Sequence, residues 1–257
     1  MDTVTAIHFS KPAPHVVLLE IDNPPVNALG RAPRMALLSR LHEADLDKDI
    51  RAIVLTGRGR AFCSGDDLKE QAEANKSGSR AHFAEFGQVL DRIERHRLPV
   101  IAAVNGHCLG GGLELASVCD IRIASTAASF VCSGVNVGLM ASAYRLPRLI
   151  GIARAKHMLL TGLPVDAATA EAFGLVTAVH APEALVDAAV ALAARVGSRA
   201  PLSIEAVKRA AALAPDLTPE EFAAVNDKEL GVLSRSADHR EALAAFAARR
   251  DPVFRRE

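Results

Sequence analysis

Apolar and polar positions along this chain follow two periods. Residues 16–21 (VVLLEI) and 52–56 (AIVLT) are short, almost continuously apolar runs, and they predict strands covered on both faces. Asn23-Pro24-Pro25 ends the first run, and Gly57 and Gly59 break the second. Residues 31–47 carry Met35, Leu37, Leu38, Leu41 and Ala44 at helical spacing. Residues 83–95 do the same with Phe83, Phe86, Val89, Leu90 and Ile93. Between them, residues 70–80 are polar with Ser and Gly, and read as a mobile surface loop or a frayed helix end. Pro99 opens VIAAV, a further buried strand; LELASVC (113–119) predicts a helix and DIRIA (120–124) another strand. Strands alternating with helices predict an α/β fold with largely parallel pairing.

Beyond about residue 182 the pattern becomes helical throughout. Residues 183–197, 201–213, 218–233 and 237–250 predict successive alanine-rich helices, broken at Pro201, Pro215 and Pro219. Apolar stripes on such a helical appendage are natural contacts between copies of a chain.

Composition narrows the function. Thirty Lys and Arg balance thirty Asp and Glu, so a general polyanion or nucleic-acid binder is disfavoured. There is no Trp and one Tyr, too few aromatics for a base-stacking platform. The first fifteen residues carry no secretory or transit pattern, and no apolar run reaches membrane-spanning length, so a cytoplasmic protein with no membrane partner is expected. Cys63, Cys108, Cys119 and Cys132 form no CxxC pair and read as free buried thiols. No HExxH, GxSxG or GxxxxGK[ST] motif occurs, and no metal site is indicated.

Two glycine-flanked turns stand out: Arg60 to Leu68 (RAFCSGDDL) and Val104 to Leu115 (VNGHCLGGGLEL). Each sits between a predicted buried strand and a helix start. Glycine lets a ligand approach the main chain, and the first amides of a helix can bind an anion or a developing oxyanion. The Gly110-Gly111-Gly112 run taken alone fits tight helix–strand packing equally well. The GxGxxG pattern with a distant acid, expected of a nicotinamide-dependent oxidoreductase, is absent.

Together these segments resemble the crotonase, or enoyl-CoA hydratase/isomerase, family. The matching residues are Asn23-Pro24-Pro25-Val26-Asn27-Ala28-Leu29, Ala61-Phe62, Ser64-Gly65, Asp67-Leu68, Val104-Asn105-Gly106, Gly110-Gly111-Gly112 and Glu114-Leu115-Ala116. Cys119-Asp120, Phe130, Gly138, Thr161-Gly162, Gly174-Leu175-Val176, Glu241-Ala242, Ala245-Phe246, Arg250, Pro252 and Phe254 continue it in order. The resemblance implies a spiral of ββα units over residues 1–195 that binds acyl-CoA, and a helical oligomerisation region over 196–257 that forms a homotrimer or a dimer of trimers. It implies a coenzyme A thioester as substrate and no permanently bound cofactor.

By position, it implies that the backbone N–H groups of Asp66 and Gly111 hold the thioester oxygen, an arrangement suited to an enolate because pre-aimed donors need no reorganisation. Ala28, Arg60, Ser64, Asp66, Leu68 and Gly111 would line the coenzyme A site, with Phe246 and Arg249 reaching a neighbouring subunit's coenzyme. The Asp66 carboxylate would oppose the developing charge if it pointed inward, so it is expected to turn away or pair with a base. Asp67 is expected to brace the turn or cap a helix.

Hydratases of this family use two glutamates. Glu114 matches the first, as general base or water holder. Aligning Phe130 and Gly138 puts Gly134 at the second, and the segment 139–146 is shorter than the family's glycine-rich stretch. Tyr144, Asn136, Cys132 and Asp66 are the candidate substitutes, and Tyr144 is the one counted with the site. The expectation is an enoyl-CoA hydratase or close relative. The alternatives are a non-catalytic acyl-CoA-binding protein, or a crotonase-type isomerase, hydrolase or decarboxylase.

Overall fold

A computed structural model of the chain describes residues 6–76 and 81–257. In order these form β1 (Ala6–Ala13), β2 (Val16–Asp22), β3 (Ala28–Leu29), α1 (Arg31–Leu46), β4 (Ala52–Gly57), β5 (Ala61–Cys63), β6 (Gly65–Asp66), α2 (Leu68–Lys76), α3 (Ala81–Glu94), β7 (Val100–Val104), β8 (His107–Leu109), α4 (Gly111–Ser117), β9 (Ile121–Ser125) and β10 (Ser129–Val131). A 3-10 turn over Ser133–Val137 follows, then α5 (Arg145–Ile150), α6 (Ile152–Thr161), β11 (Val165–Asp166), α7 (Ala167–Phe173), β12 (Val179–His180), α8 (Leu185–Gly197), α9 (Pro201–Leu213), α10 (Pro219–Leu233) and α11 (Ala237–Ala247).

The main sheet has the order β1-β2-β4-β7-β9-β12, parallel except for the β1–β2 hairpin. Its strands explain their own sequences. Val17, Leu19, Ile53, Leu55, Ala102 and Val104 face one core, with Leu37 and Leu41 of α1 and Val89 and Ile93 of α3. Val16, Leu18, Ala52, Val54, Ile101 and Ala103 face a second core, closed by Leu185, Ala189 and Ala193 of α8. Both faces are covered, so these stretches of β2, β4 and β7 are continuously apolar rather than alternating. The small residues of α8, four apart, form one stripe that lies close on the sheet.

A second sheet, β11-β10-β8-β5, and a two-stranded pair, β3-β6, stand beside the first. The strand β5 pairs with β8, and β3 pairs in parallel with β6 through Ala28↔Gly65 and Leu29↔Asp66. Each of the two glycine-flanked turns therefore leaves a main-sheet strand and enters one of these smaller sheets.

Several sequence expectations change. Of the two readings for residues 70–80, the helical one agrees with residues 70–76, which form the end of α2, while 77–80 fall outside the described residues. Met35 and Phe83 are exposed, and the inward face of α1 is Pro33, Arg34, Leu37, Leu41 and Ala44. The two-residue strands and the helices α5 to α7 are too short for periodicity to announce them. The four cysteines are buried free thiols, as expected, and burial pushes Cys63 and Cys119 up to about 12.

The helical C-terminal region is tied to the sheet region by ions. Lys208 of α9 donates to Asp120 Oδ2 (2.8 Å) and to the Leu98 carbonyl (3.0 Å). Buried Glu205 pairs with Arg256 (2.8 Å) and Arg97 (3.5 Å).

One buried group sets a pH limit on the fold. His96 is 1% exposed; its Nδ1 accepts from Leu98 N–H (3.1 Å), so its Nε2 carries the proton and donates to the Leu41 carbonyl (3.0 Å). Burial, opposed by the Leu41 contact and by Asp45, pushes its pKa down to about 4 from 6.5. A depressed histidine is neutral in the fold while the unfolded chain takes up a proton, so its contribution is intact above pH 6.5 and declines as pH falls toward 4. At about 1.4 kcal/mol per unit, the loss across that window is roughly 3 kcal/mol. Urea unfolding of wild type and His96→Gln at pH 7, 5.5 and 4.5 checks this: the difference between the two should shrink as pH falls. A constant difference would rule out His96 as the titrating group.

Candidate functional site

The site is built where the two glycine turns meet. Asn27, buried with φ +57°, binds the first turn from β3's side: its Nδ2 donates to the carbonyls of Ala61 (2.7 Å) and Arg58 (3.0 Å), while its Oδ1 accepts from Asn23 N–H (2.9 Å). Asn105 binds it from the second turn, accepting from Gly57 N–H (3.1 Å) and donating to the Gly59 carbonyl (3.0 Å). Both asparagines occur in the quoted motifs, and their work is to hold the 57–62 loop.

This clamp brings Gly65 against the start of α4. A Cβ on Gly65 would lie 2.5 Å from Gly111 N and 2.8 Å from Gly111 Cα, and Gly65 has φ +86°. The two backbones are in contact, so no other residue fits between them. Gly111 opens α4, and the first amides of a helix have no carbonyl of their own helix to bond. The ring of Phe86 closes the other side of Gly111.

The Asp66 carboxylate is paired with Arg34, whose guanidinium is almost fully buried and stacks on Phe86 at 5.2 Å. The expectation that Asp66 pairs with a base therefore holds, and its partner is a residue the sequence reading had not used. Arg34 has the spacing of the α1 core stripe (34, 37, 41, 44), and a buried arginine there calls for a partner acid. Asp67 caps α2, its Oδ1 accepting from Lys69 N–H (2.8 Å) and Glu70 N–H (3.2 Å).

Glu114 lies one turn into α4 and is half-buried. Its Oε1 accepts a hydrogen bond from Ser142 N–H at 2.7 Å. The far end of α4 is held by buried Arg122, which donates to the Cys119 (2.6 Å) and Ala116 (3.4 Å) carbonyls. Cys132 is buried near enough to Glu114 that burial and this carboxylate together push its thiol up to about 11. Arg145, bonded to Glu94 at 2.6 Å, also lies within electrostatic range of Glu114.

Other sequence candidates fall elsewhere. Tyr144 is 61% exposed, with its ring under Arg148 at 4.3 Å. Exposed Asn136 donates to the Gly162 carbonyl (3.4 Å). Ala28 and Ser64 are half-buried beside the first turn, and Arg60 and Leu68 are exposed at its rim. Phe246 and Arg249 are exposed at the end of α11 and beyond it. Gly134 is buried, and a Cβ there would meet the Leu139 carbonyl at 2.9 Å and Ala141 N at 3.2 Å. The segment 139–141 therefore fills the space a side chain at 134 would need.

A family model described as Enoyl-CoA hydratase/isomerase matches residues 13–257. The chain belongs to the enoyl-CoA hydratase/isomerase family. It is 37% identical over 246 residues to the (E)-benzylidenesuccinyl-CoA hydratase of Thauera aromatica, covering 94% of this chain and 96% of that one. It is 34% identical over 247 residues to a probable enoyl-CoA hydratase of Bacillus subtilis, covering 94% and 96%. Among solved structures, an enoyl-CoA hydratase from Bacillus anthracis superposes with a TM-score of 0.94 at 32% identity, covering 98% of this chain and 99% of that one. The α/β architecture described above is thus the crotonase fold, and this family member is an enzyme of the enoyl-CoA hydratase type. Among the described residues, no group of three or more His, Cys, Asp and Glu could hold a metal ion, and no helix is long and apolar enough to cross a membrane.

Proposed function

We propose that this protein adds water to the double bond of an enoyl-CoA thioester, with Glu114 as general base and the N–H groups of Asp66 and Gly111 holding the thioester oxygen. The observation that carries this reading is the backbone contact of Gly65 with Gly111, one helical turn before Glu114. Two donors on adjoining backbones, with a carboxylate one helical turn on, would suit an enolate whose charge gathers on oxygen. Pairing Asp66 with Arg34 keeps a second negative charge from opposing it.

One carboxylate suffices for the proton balance. Glu114 takes a proton from water as its oxygen bonds to Cβ, and the π electrons move to the thioester oxygen. The same carboxyl then returns that proton to Cα as the enolate collapses. Gly134 leaves no place for a second carboxylate, which favours a single-base mechanism over the two-glutamate one.

Ala28, Ser64, Leu68 and Arg60 would line the coenzyme A path. The exposed apolar residues Leu230, Val232, Leu243 and Phe246 suit a homotrimer or dimer of trimers in which Phe246 and Arg249 meet a neighbour's coenzyme. We place the enzyme in the cytoplasm, with residues 1–195 as the acyl-CoA-binding core and 196–257 as the oligomerisation region.

The test is turnover of crotonyl-CoA and of a bulkier aryl-substituted enoyl-CoA, followed by mass-resolved chromatography. The aryl compound is included because of the likeness to the benzylidenesuccinyl-CoA hydratase. A water adduct is expected from at least one. Tight acyl-CoA binding without any adduct would instead favour the second reading, a binding protein, whose motivating observation is the absent acid at Gly134.

A further inference from the structure

Ser142 carries two costs at one position. It is a non-glycine residue with φ +60°, and its hydroxyl is buried with no hydrogen-bond partner among the described residues, the whole residue being 4% exposed. A left-handed backbone strains such a residue, and a buried hydroxyl without a partner adds its desolvation cost. Glycine would remove both while keeping the N–H that holds Glu114. The fold therefore gains nothing from serine here. Costs of this kind persist where a site uses the group.

The position defines the use. Ser142 N lies 2.7 Å from Glu114 Oε1, so the residue that carries this hydroxyl stands against the carboxylate. It belongs to the segment that closes over Gly134, where a second carboxylate has no room. A water to be activated needs both its hydrogens directed, so that a lone pair faces the carbon under attack. One carboxylate oxygen directs only one of them.

We propose that Ser142 is a catalytic residue of the hydration reaction: its hydroxyl, turned about χ1, accepts the second hydrogen of the water whose first hydrogen is donated to Glu114. The serine then does the water-holding that the absent second acid would do. It gives and takes no proton, so the balance stated for Glu114 is unchanged. This inference rests on the hydratase reading of the same site.

The test uses Ser142→Gly and Ser142→Ala in the full chain, with two assays. One is hydration of the enoyl-CoA that wild type turns over best. The other is exchange of the α-protons of a saturated acyl-CoA in deuterated water, which uses Glu114 and the oxyanion donors but no attacking water. Both variants should melt at or above the wild-type temperature, because each loses an unsatisfied buried hydroxyl. Hydration kcat should fall about tenfold to a hundredfold, the worth of one hydrogen bond to a polar or charged partner, with KM and α-proton exchange within about twofold. Hydration unchanged in Ser142→Gly would overturn the assignment. So would equal loss of hydration and exchange, which would mean that Ser142 acts only by holding Glu114. Failure of wild type to hydrate, with exchange intact, would remove the hydratase reading itself and this inference with it.

Discussion

Glu114→Gln is expected to lower kcat for enoyl-CoA hydration by about 10²–10⁴-fold, the usual contribution of a positioned general base. The amide is close in shape to the carboxylate, and its oxygen can still accept from Ser142 N–H, so the local structure has no reason to change. What disappears is the capacity to take a proton from water and return it to Cα. The melting temperature and the affinity for a saturated acyl-CoA should therefore stay near wild type while turnover collapses. Steady-state kinetics beside a binding titration measures both. Turnover within a fewfold of wild type would exclude Glu114 as the base.

The second large effect is expected at a residue with no side chain. Gly65→Ala should reduce kcat/KM by about 10²–10³-fold, the range found when one oxyanion donor is lost. The new Cβ would lie 2.5 Å from Gly111 N, and the φ of +86° is strained for alanine. The backbones of β6 and α4 must move apart, and with them the two N–H groups that we propose hold the thioester oxygen. Some loss of stability, of order 1–3 kcal/mol, accompanies the strain. The control is Gly87→Ala, in the interior of α3, where a Cβ meets nothing within 4 Å among the described residues. That change should stabilise by about 0.5–1 kcal/mol and leave turnover alone. If Gly65→Ala hydrates as well as Gly87→Ala does, the donors are not where they have been placed.

Much of the architecture was legible in residue order. The continuous apolar runs at 16–21, 52–56 and 100–104 are strands buried on both faces, because helices cover both sides of their sheet. Glu114 and the two glycine turns were legible because they sit in a family pattern that runs nearly the whole chain. Residues 70–76 were harder: a polar helix on the surface lacks the apolar stripe that reveals a helix, and its Asp67 cap was the better signal. The apolar spacing of 31–47 points Met35 inward, whereas the inward position belongs to charged Arg34.

What the sequence by itself determined is therefore the fold class, the family, and where along the chain the two glycine turns and the glutamate after the second of them stand. These depend on local propensity, periodicity and motif order, all of which are written along the chain. Only the tertiary structure decided that Arg34 neutralises Asp66, that 139–141 occupies the space beside Gly134, that Tyr144 is exposed under Arg148, and that Ser142 stands beside Glu114. Each of those facts joins residues about thirty apart or turns on which way a short irregular segment folds. Pairings between distant residues and the paths of aperiodic loops are set by packing in three dimensions, and no spacing along the chain encodes them.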